Sequence, residues 1–323
     1  MNKTISPSAS IDRWEIFFKA LIRKVAQPTT EWPTVRCWSK SGLITVLVEI
    51  RNQEKDHLLT TFPHGEAILE HLQKTGLVSR VEVEAASPSP STDFYLLDFD
   101  GTSPREVDPL ELLQAFKPEG IICYFSALSY YGLTTQIASQ HHIATLSKPS
   151  STPATRNDSD QEETSTAGGV KRNPLGQKAF TFQEVPFFWT RRTPSKLVGI
   201  QTREKAPRTR FRITTLEQTL LDTLHRPFPC GGLSVILEAW EKGSRTMDEQ
   251  RLAEHLAAMA HTDTYRRVGA LLDLMGTPAP SPLKTRLDEI KNGMPRPSPE
   301  SRIPLLPGID FPSTNETWQV GVP

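Results

Sequence analysis

The stretch Ile213–Lys242 reads ITTLEQTLLDTLHRPFPCGGLSVILEAWEK and encodes two short helices with a tight connection between them. Capping-box patterns begin at both Thr214 and Thr215, so the first helix starts in one of two registers. Leucines four residues apart give this helix one apolar stripe. Two prolines and two glycines then end it and allow the chain to reverse. The second helix is amphipathic, with apolar side chains at i, i+3, i+4 and i+7 from Leu233.

The composition indicates a folded chain with many loops. It has 323 residues, 37% of them hydrophobic, and 27 prolines. No apolar run approaches the roughly 20 residues of a membrane helix, and the N-terminus lacks the apolar region of a signal peptide. The three cysteines are widely spaced and form no CxxC pair, which favours reduced thiols. We therefore expect a cytoplasmic protein that does not enter a membrane.

Charge is unevenly distributed, although the chain carries 37 basic and 37 acidic side chains in total. Residues 61–116 hold 3 Lys/Arg against 10 Asp/Glu, whereas residues 171–212 hold 11 against 2. A strongly basic segment inside a neutral average is typical of polyanion binding. We therefore assign any contact with a polyanion to residues 171–212.

The order of elements predicts an α+β fold with two domains. The first, residues 1–106, contains a helix–strand–strand order typical of a winged helix. Its predicted elements are a helix at Asp12–Ala26, a short helix at Pro33–Ser41, a strand at Leu43–Ile50, a helix at Gly65–Thr75, and strands at Leu77–Glu84 and Phe94–Phe99.

The second domain, residues 107–323, combines strands with helices and ends in a helical part. Residues 147–176 are rich in Ser, Thr, Pro and acids, which predicts a flexible insert. From residue 278 the chain is rich in proline, and we expect an extended tail. The other predicted elements are a helix at Ile121–Leu133, strands at Ile143–Leu146, Ala179–Thr190, Leu197–Gln201 and Thr209–Ile213, and two helices after Lys242.

Eight cations of the basic segment are candidates for binding nucleic acid or another polyanion. In Arg208-Thr209-Arg210-Phe211-Arg212, the period of a strand places three guanidinium groups on one face, where they can contact phosphates. The alternative is a solvated strand face with counter-charges from elsewhere. The candidates are Arg191, Arg192, Lys196, Arg203, Lys205, Arg208, Arg210 and Arg212.

Three residues near the N-terminus are weaker candidates for reading DNA. If residues 33–41 form a helix, Arg36 and Lys40 lie one turn apart on it, close to Thr34. Against this, residues 1–116 carry 12 basic and 16 acidic groups, whereas DNA readers usually present a positive surface. A structural or dimerising winged helix is the alternative.

Two motifs carry weaker enzymatic interpretations. Asp98-Phe99-Asp100-Gly101-Thr102 resembles the first motif of haloacid-dehalogenase-type phosphatases, but the remaining acidic metal ligands of that class are missing. His141 and His142 are adjacent, so on a strand they point to opposite faces and do not share one metal ion easily. We therefore predict no catalytic residue, no metal site and no cofactor.

Several separated stretches occur together in one order along about residues 107–320. The stretches are IICYFSALSYYGL at Ile121–Leu133, Thr215-Leu216-Glu217 with Leu221-Asp222, Arg226-Pro227 and Gly231-Gly232, YRRVGALLDLMG at Tyr265–Gly276, Pro304-Leu305 and Trp318. They resemble the signatures of AbiEi-type antitoxins, the regulators of type IV abortive-infection toxin–antitoxin pairs.

The resemblance implies a winged helix joined to a mixed α/β antitoxin domain. It implies a non-enzymatic regulator that binds operator DNA, represses its own operon and counteracts a nucleotidyltransferase-like toxin, often without a stable complex. An oligomer is compatible with this role. The acidic residues 1–106 depart from the family expectation of a DNA-binding N-terminus, so an interaction module without DNA binding is the second hypothesis. The phosphatase with Asp98 and Asp100 is a third.

Overall fold

The structure is a computed structural model in which the chain forms two compact units. The first consists of residues 1–118 with the hairpin tip 204–210, and the second of residues 119–203 and 211–323. The described residues are 13–25, 36–58, 62–87, 89–97, 101, 103–147, 175–206, 209–276, 281–293 and 299–323. Both units combine helices with sheets, which confirms the α+β class.

The first unit contains helices and a small sheet. Strand β4 lies in the centre of this sheet and pairs antiparallel with both β1 and β2. Its elements are α1 (Arg13–Val25), β1 (Cys37–Ser39), α2 (Lys40–Gln53), α3 (Gly65–Lys74), β2 (Val78–Val81), β3 (Glu84–Ala85), β4 (Phe94–Leu97) and α4 (Pro109–Phe116).

The order helix, glycine, strand, strand predicted after residue 65 is observed as α3, Gly76, β2 and β4. Gly76 has a φ of +74°, which ends α3 in the left-handed conformation that glycine adopts readily. The apolar faces of α1, α2 and α3 form one core with the inner side of the sheet. The first unit extends past the predicted boundary at residue 106 because α4 belongs to it.

Two predicted elements of this unit are wrong. The strand predicted at Leu43–Ile50 lies within helix α2. The helix predicted at Pro33–Ser41 is wrong at Cys37–Ser39, which form strand β1, and its last two residues begin α2. The side chain of Ser39 accepts a hydrogen bond from the backbone amide of Gly42 and thereby caps α2. The buried residues of α2 recur every three or four positions, a helical period that its β-branched composition obscures.

The described residues of the second unit form a mixed sheet, five long helices and a small terminal sheet. Its elements are β5 (Ile121–Ile122), α5 (Phe125–Tyr130), β6 (His141–Leu146), β7 (Gln177–Phe182), β8 (Val185–Arg192), β9 (Ile200–Ala206), β10 (Thr209–Thr214), α6 (Leu216–His225), α7 (Leu233–Gly243), α8 (Glu249–Met259), α9 (Thr262–Leu274), α10 (Pro282–Gly293), β11 (Ile303–Pro304), β12 (Ser313–Asn315) and β13 (Val320–Val322). Residues 204–210, at the end of β9 and the start of β10, are assigned to the first unit.

Six of these strands follow one another in the order β7-β8-β6-β5-β10-β9. The pairs β7–β8 and β5–β6 are antiparallel, whereas β6–β8 and β5–β10 are parallel. The core of the unit joins the helices α6 to α10 with residues of β5, α5 and β6. This arrangement places the predicted basic strands β8, β9 and β10 in one sheet.

The two helices predicted from Ile213–Lys242 are confirmed as α6 and α7. Thr215 caps α6 by accepting a hydrogen bond from the amide of Gln218, so the second of the two registers is correct. Gly231 and Gly232 have φ values of +93° and +81° and form the reversal. Trp240 is fully buried and donates a hydrogen bond from Nε1 to Thr223 Oγ1.

Other predictions for the second unit need correction. The strand predicted at Ala179–Thr190 is a hairpin, because Gln183 and Glu184 adopt positive φ and connect β7 to β8. The first residues of the helix predicted at Ile121–Leu133 form strand β5. Most of the insert predicted at 147–176 lies outside the described residues.

The tail from residue 278 is not extended throughout, since it contains α10 and the small sheet. Strand β13 pairs with both β11 and β12 in this sheet. Arg266 on α9 donates hydrogen bonds to the carbonyl oxygens of Ser301, Trp318 and Gln319 at 2.7–2.9 Å. A buried guanidinium group therefore fixes the C-terminal strands to α9.

Candidate nucleic-acid interface

Strand β10 presents its arginines as the strand period predicts. Phe211 and Ile213 are buried, whereas Arg210 and Arg212 between and beside them are partly exposed. Arg208 lies outside the described residues. The alternation of β10 is therefore observed, and two of its three predicted guanidinium groups reach the surface.

The exposed cations of strands β9 and β10 have acidic neighbours. Arg210 donates to Glu204 Oε1 from Nη2 at 2.8 Å, and Lys205 forms an ion pair with Asp108. Arg212 Nη1 donates to the backbone carbonyl of Glu119 at 2.8 Å and lies 3.4 Å from its carboxylate. A polyanion that binds these side chains has to compete with the carboxylates, which weakens each contact.

Arg192 has no access to a polyanion, which corrects its assignment to the binding set. Its side chain is 0% exposed, as is that of Asp222 on α6. The two groups form a bidentate ion pair with distances of 2.7 and 2.8 Å. Arg192 and Arg191 are neighbours on β8 and point to opposite faces, so only Arg191 is exposed.

A hydrogen-bonded network surrounds this ion pair. Gln218, one turn before Asp222 on α6, donates to Asp222 Oδ1 at 2.8 Å. The amide oxygen of Gln218 accepts from the backbone N–H groups of Val198 and Gly199. The carbonyl oxygen of Lys196 accepts from Arg192 at 2.8 Å and from Gln218 at 3.2 Å. The network joins β8 and the chain before β9 to α6.

Residues Asp222 and Gln218 were absent from the predicted site, and their role is structural. The sequence signal was present, because a Gln and an Asp at i and i+4 of an apolar helix form a polar pair that needs a buried partner. No pattern in the sequence identifies Arg192 as that partner, since β8 and α6 are separated along the chain.

The remaining members of the predicted set differ in exposure. Arg191 is exposed and lies over the ring of Trp189, with 5.7 Å between the guanidinium carbon and the ring centroid. Lys196 is partly buried, and Arg203 on β9 is exposed. The hydroxyl of Tyr131 interacts with Arg203 and accepts a hydrogen bond from Gln201 Nε2.

The weaker N-terminal candidates do not share a helix. Arg36 precedes β1 and forms an ion pair with the buried carboxylate of Glu111. Lys40 is the first residue of α2, and its Nζ lies 3.3 Å from Glu66. Thr34 lies outside the described residues. The predicted pairing of Arg36 and Lys40 on one helical face is therefore wrong.

The two adjacent histidines lie on opposite faces of β6. His141 packs on Phe187 and its Nδ1 lies 3.3 Å from Ser126 Oγ, whereas His142 stacks on Phe188. Within the described ranges, no group of three or more His, Cys, Asp or Glu side chains has the geometry of a metal site. Asp98 and Asp100, the phosphatase candidates, lie outside those ranges.

Stability is expected to fall as the pH decreases from about 6.5 towards 4. Burial, together with repulsion from Arg226, lowers the pKa of His142 from 6.5 to about 3. In the unfolded chain His142 binds a proton below about pH 6.5. In the folded chain the same imidazole stays unprotonated until the pH approaches 3. Each pH unit in this window therefore costs up to about 1.4 kcal/mol.

Urea unfolding at several pH values measures this dependence. His142→Phe, which keeps an aromatic ring against Phe188, should flatten the dependence of the free energy of unfolding on pH. His57→Gln, at an exposed position, should leave this dependence unchanged. An unchanged slope in His142→Phe contradicts the assignment.

The three cysteines carry thiol groups rather than disulfides, and all three side chains are buried. Burial raises the pKa of Cys37 and that of Cys230 well above the ordinary thiol value. Both thiols therefore remain protonated, a state that disfavours a nucleophilic role.

No helix in the described part of the chain combines the length and the apolar character that a membrane crossing requires. No family model matches the chain, and neither does any curated protein sequence. Among solved structures, the chain is similar to the crystal structure of the RV2827C protein from Mycobacterium tuberculosis. The two chains are 13% identical with a TM-score of 0.49, over 98% of this chain and 94% of that one.

Proposed function

We propose that this chain is a non-enzymatic regulator of the AbiEi antitoxin type, which binds operator DNA in the cytoplasm. The main support for this proposal is the element order of the first unit: α1, β1, α2, α3, β2 and β4, with β4 between β1 and β2 in the sheet. We interpret this unit as a winged helix, in which α2 and α3 form the helical pair and β2 and β4 the wing.

In this interpretation α3 is the helix that enters the major groove. Its exposed side chains include Glu66, Glu70, Gln73 and Lys74, so its net charge does not attract phosphates. The affinity for DNA must then come from cations elsewhere. The exposed arginines of residues 191–212 are the proposed source.

A mobility-shift titration with the DNA upstream of the gene tests the proposal. A specific complex that survives excess unrelated duplex is the expected result. The absence of any specific complex at low salt, with a folded protein confirmed by circular dichroism, contradicts it.

Replacing Arg203, Arg210 and Arg212 together by alanine is expected to weaken DNA binding and to flatten its salt dependence. Each lost phosphate contact lowers the slope of log K against log salt by about 0.9. Arg245→Ala is the matched control, since Arg245 is 70% exposed and pairs with Glu241 on α7. Equal slopes of log K against log salt for the triple variant and the control contradict a role of these arginines in DNA binding.

The second candidate is an interaction module that binds a partner protein and no DNA. The acidic residues Glu66 and Glu70 on the exposed face of α3 favour it, because they repel phosphates at the position where a winged helix reads bases. The mobility-shift experiment separates the two candidates, since a specific shift excludes this one.

The antitoxin role predicts a partner gene that encodes a nucleotidyltransferase-like toxin, which the protein counteracts with or without a stable complex. Expression of the adjacent gene alone should arrest growth, and co-expression of this chain should restore it. Growth arrest that co-expression does not relieve contradicts the antitoxin role and leaves the DNA-binding proposal to the mobility shift.

A further inference from the structure

The cations of strands β9 and β10 differ in whether a carboxylate neutralises them. Lys205, Arg210 and Arg212 each lie beside an acidic side chain, as described above. Arg203 is exposed on β9, and within the described part of the chain no carboxylate forms an ion pair with it. An incoming anion therefore meets an uncompensated charge at Arg203 and a compensated one at its neighbours.

Neutral groups hold Arg203 in place. Gln201 lies two residues earlier on β9, so both side chains leave the strand on the same side. Gln201 Nε2 donates to the hydroxyl oxygen of Tyr131, and this hydroxyl donates to the carbonyl oxygen of Thr214 at 2.6 Å. Arg203 interacts with the same hydroxyl. The phenol is thereby fixed between β9 and the end of β10.

The phenol does not neutralise the guanidinium group. Burial raises the pKa of Tyr131 to about 12, although Gln201 and Arg203 both act in the opposite direction. The hydroxyl is therefore protonated and uncharged at neutral pH. It interacts with Arg203 while leaving the positive charge of Arg203 for a ligand, which a carboxylate partner cannot do.

We propose that Arg203 is the principal phosphate-contacting residue among the cations of strands β9 and β10 and that Tyr131 and Gln201 position it. The ligand class is the phosphodiester backbone of a nucleic acid, because an exposed, oriented guanidinium group binds phosphate by charge-assisted hydrogen bonds. The choice of nucleic acid as the polyanion rests on the proposed function.

The test measures binding of two probes, heparin and a labelled DNA duplex of random sequence, between about 50 and 200 mM salt. Arg203→Ala should weaken binding about tenfold at low salt and reduce the salt slope by about 0.9. Arg212→Ala, which removes a neutralised cation, should change both quantities less. Arg203→Lys should retain the slope, because the charge remains.

Tyr131→Phe tests the positioning role. It removes the acceptor for Gln201 and the polar group beside Arg203 but no charge, so affinity should fall while the salt slope stays near that of the parent. A purely structural role for Tyr131 instead predicts a lower melting temperature with unchanged affinity of the folded protein.

The outcomes distinguish this inference from the proposed function. Binding of the random-sequence duplex that depends on Arg203, without a specific shift of upstream DNA, supports the inference and contradicts operator binding, whereas dependence on Arg203 for heparin alone contradicts a phosphodiester ligand. A specific shift that Arg203→Ala leaves unchanged in affinity and slope overturns the inference alone. No binding of either probe at about 50 mM salt overturns both.

Discussion

Replacing Asp222 by alanine is expected to lower the free energy of unfolding by about 3–5 kcal/mol. The substitution removes the carboxylate from a fully buried, bidentate ion pair and leaves the guanidinium group of Arg192 without its counter-charge. Gln218 loses the closer of its two acceptors at the same time, and keeps only the carbonyl oxygen of Lys196. Because water does not reach these groups, nothing replaces the lost hydrogen bonds.

The cost arises from the charge that remains, and a double variant separates this effect from lost packing. Arg192→Met with Asp222→Leu removes both charges and should recover most of the stability, since apolar pairs of similar volume often replace buried ion pairs without loss. Arg245→Ala breaks an exposed pair with Glu241 and should change stability by less than about 1 kcal/mol.

Equilibrium urea unfolding, followed by circular dichroism, measures these differences. A loss of less than about 1 kcal/mol for Asp222→Ala means that water or another group compensates Arg192, and contradicts the buried network. The same variant also tests the site assignment. If Arg192 binds no polyanion, Asp222→Ala protein that remains folded should keep the parental salt dependence of DNA binding.

Local patterns predicted the elements whose ends and faces are encoded in neighbouring residues. Thr215, Gly231 and the apolar spacing of α7 lie within 30 residues of one another, and each acts on its own helix or on the turn beside it. The strand at Leu43–Ile50 was predicted wrongly because β-branched composition outweighed the helical spacing of its buried residues.

The burial and the ion-pair partner of each arginine were not predictable, because they depend on groups that are distant along the chain. Alternation correctly placed Arg210 and Arg212 on one side of β10. The same period on β8 does not tell which face of the strand α6 covers, so Arg192 and Arg191 look equivalent in sequence. Contacts such as Arg192–Asp222 appear only when β8 and α6 come together.

Gly269→Ala is expected to destabilise the protein by about 1–3 kcal/mol or more. In most helices this change is favourable by roughly 0.5–1 kcal/mol. Here a Cβ atom at residue 269 falls 2.2 Å from Cε2 and 2.4 Å from Cζ2 of Trp318. The indole is large and its Nε1 donates to Asp273, so it does not move away without losing this hydrogen bond.

Displacement of Trp318 should also loosen the C-terminal strands. Arg266, on the same helix, donates to the carbonyl oxygens of Trp318 and Gln319, so a shift of the indole disturbs these bonds. We expect faster proteolysis at Arg302, one residue before β11, in Gly269→Ala than in the parent. Thermal unfolding gives the loss of stability, and timed digestion with trypsin reports the loosening of the tail.

Gly293→Ala is the matched control, because Gly293 ends helix α10 and a Cβ atom there meets no described residue within 4 Å. It should be neutral or slightly stabilising. In a Trp318→Leu background the penalty of Gly269→Ala should shrink, since the smaller side chain relieves the overlap. A penalty of the same size in both backgrounds contradicts the steric explanation. A stabilising Gly269→Ala would show that the indole yields without cost, and that the close packing of α9 on Trp318 does not hold the tail.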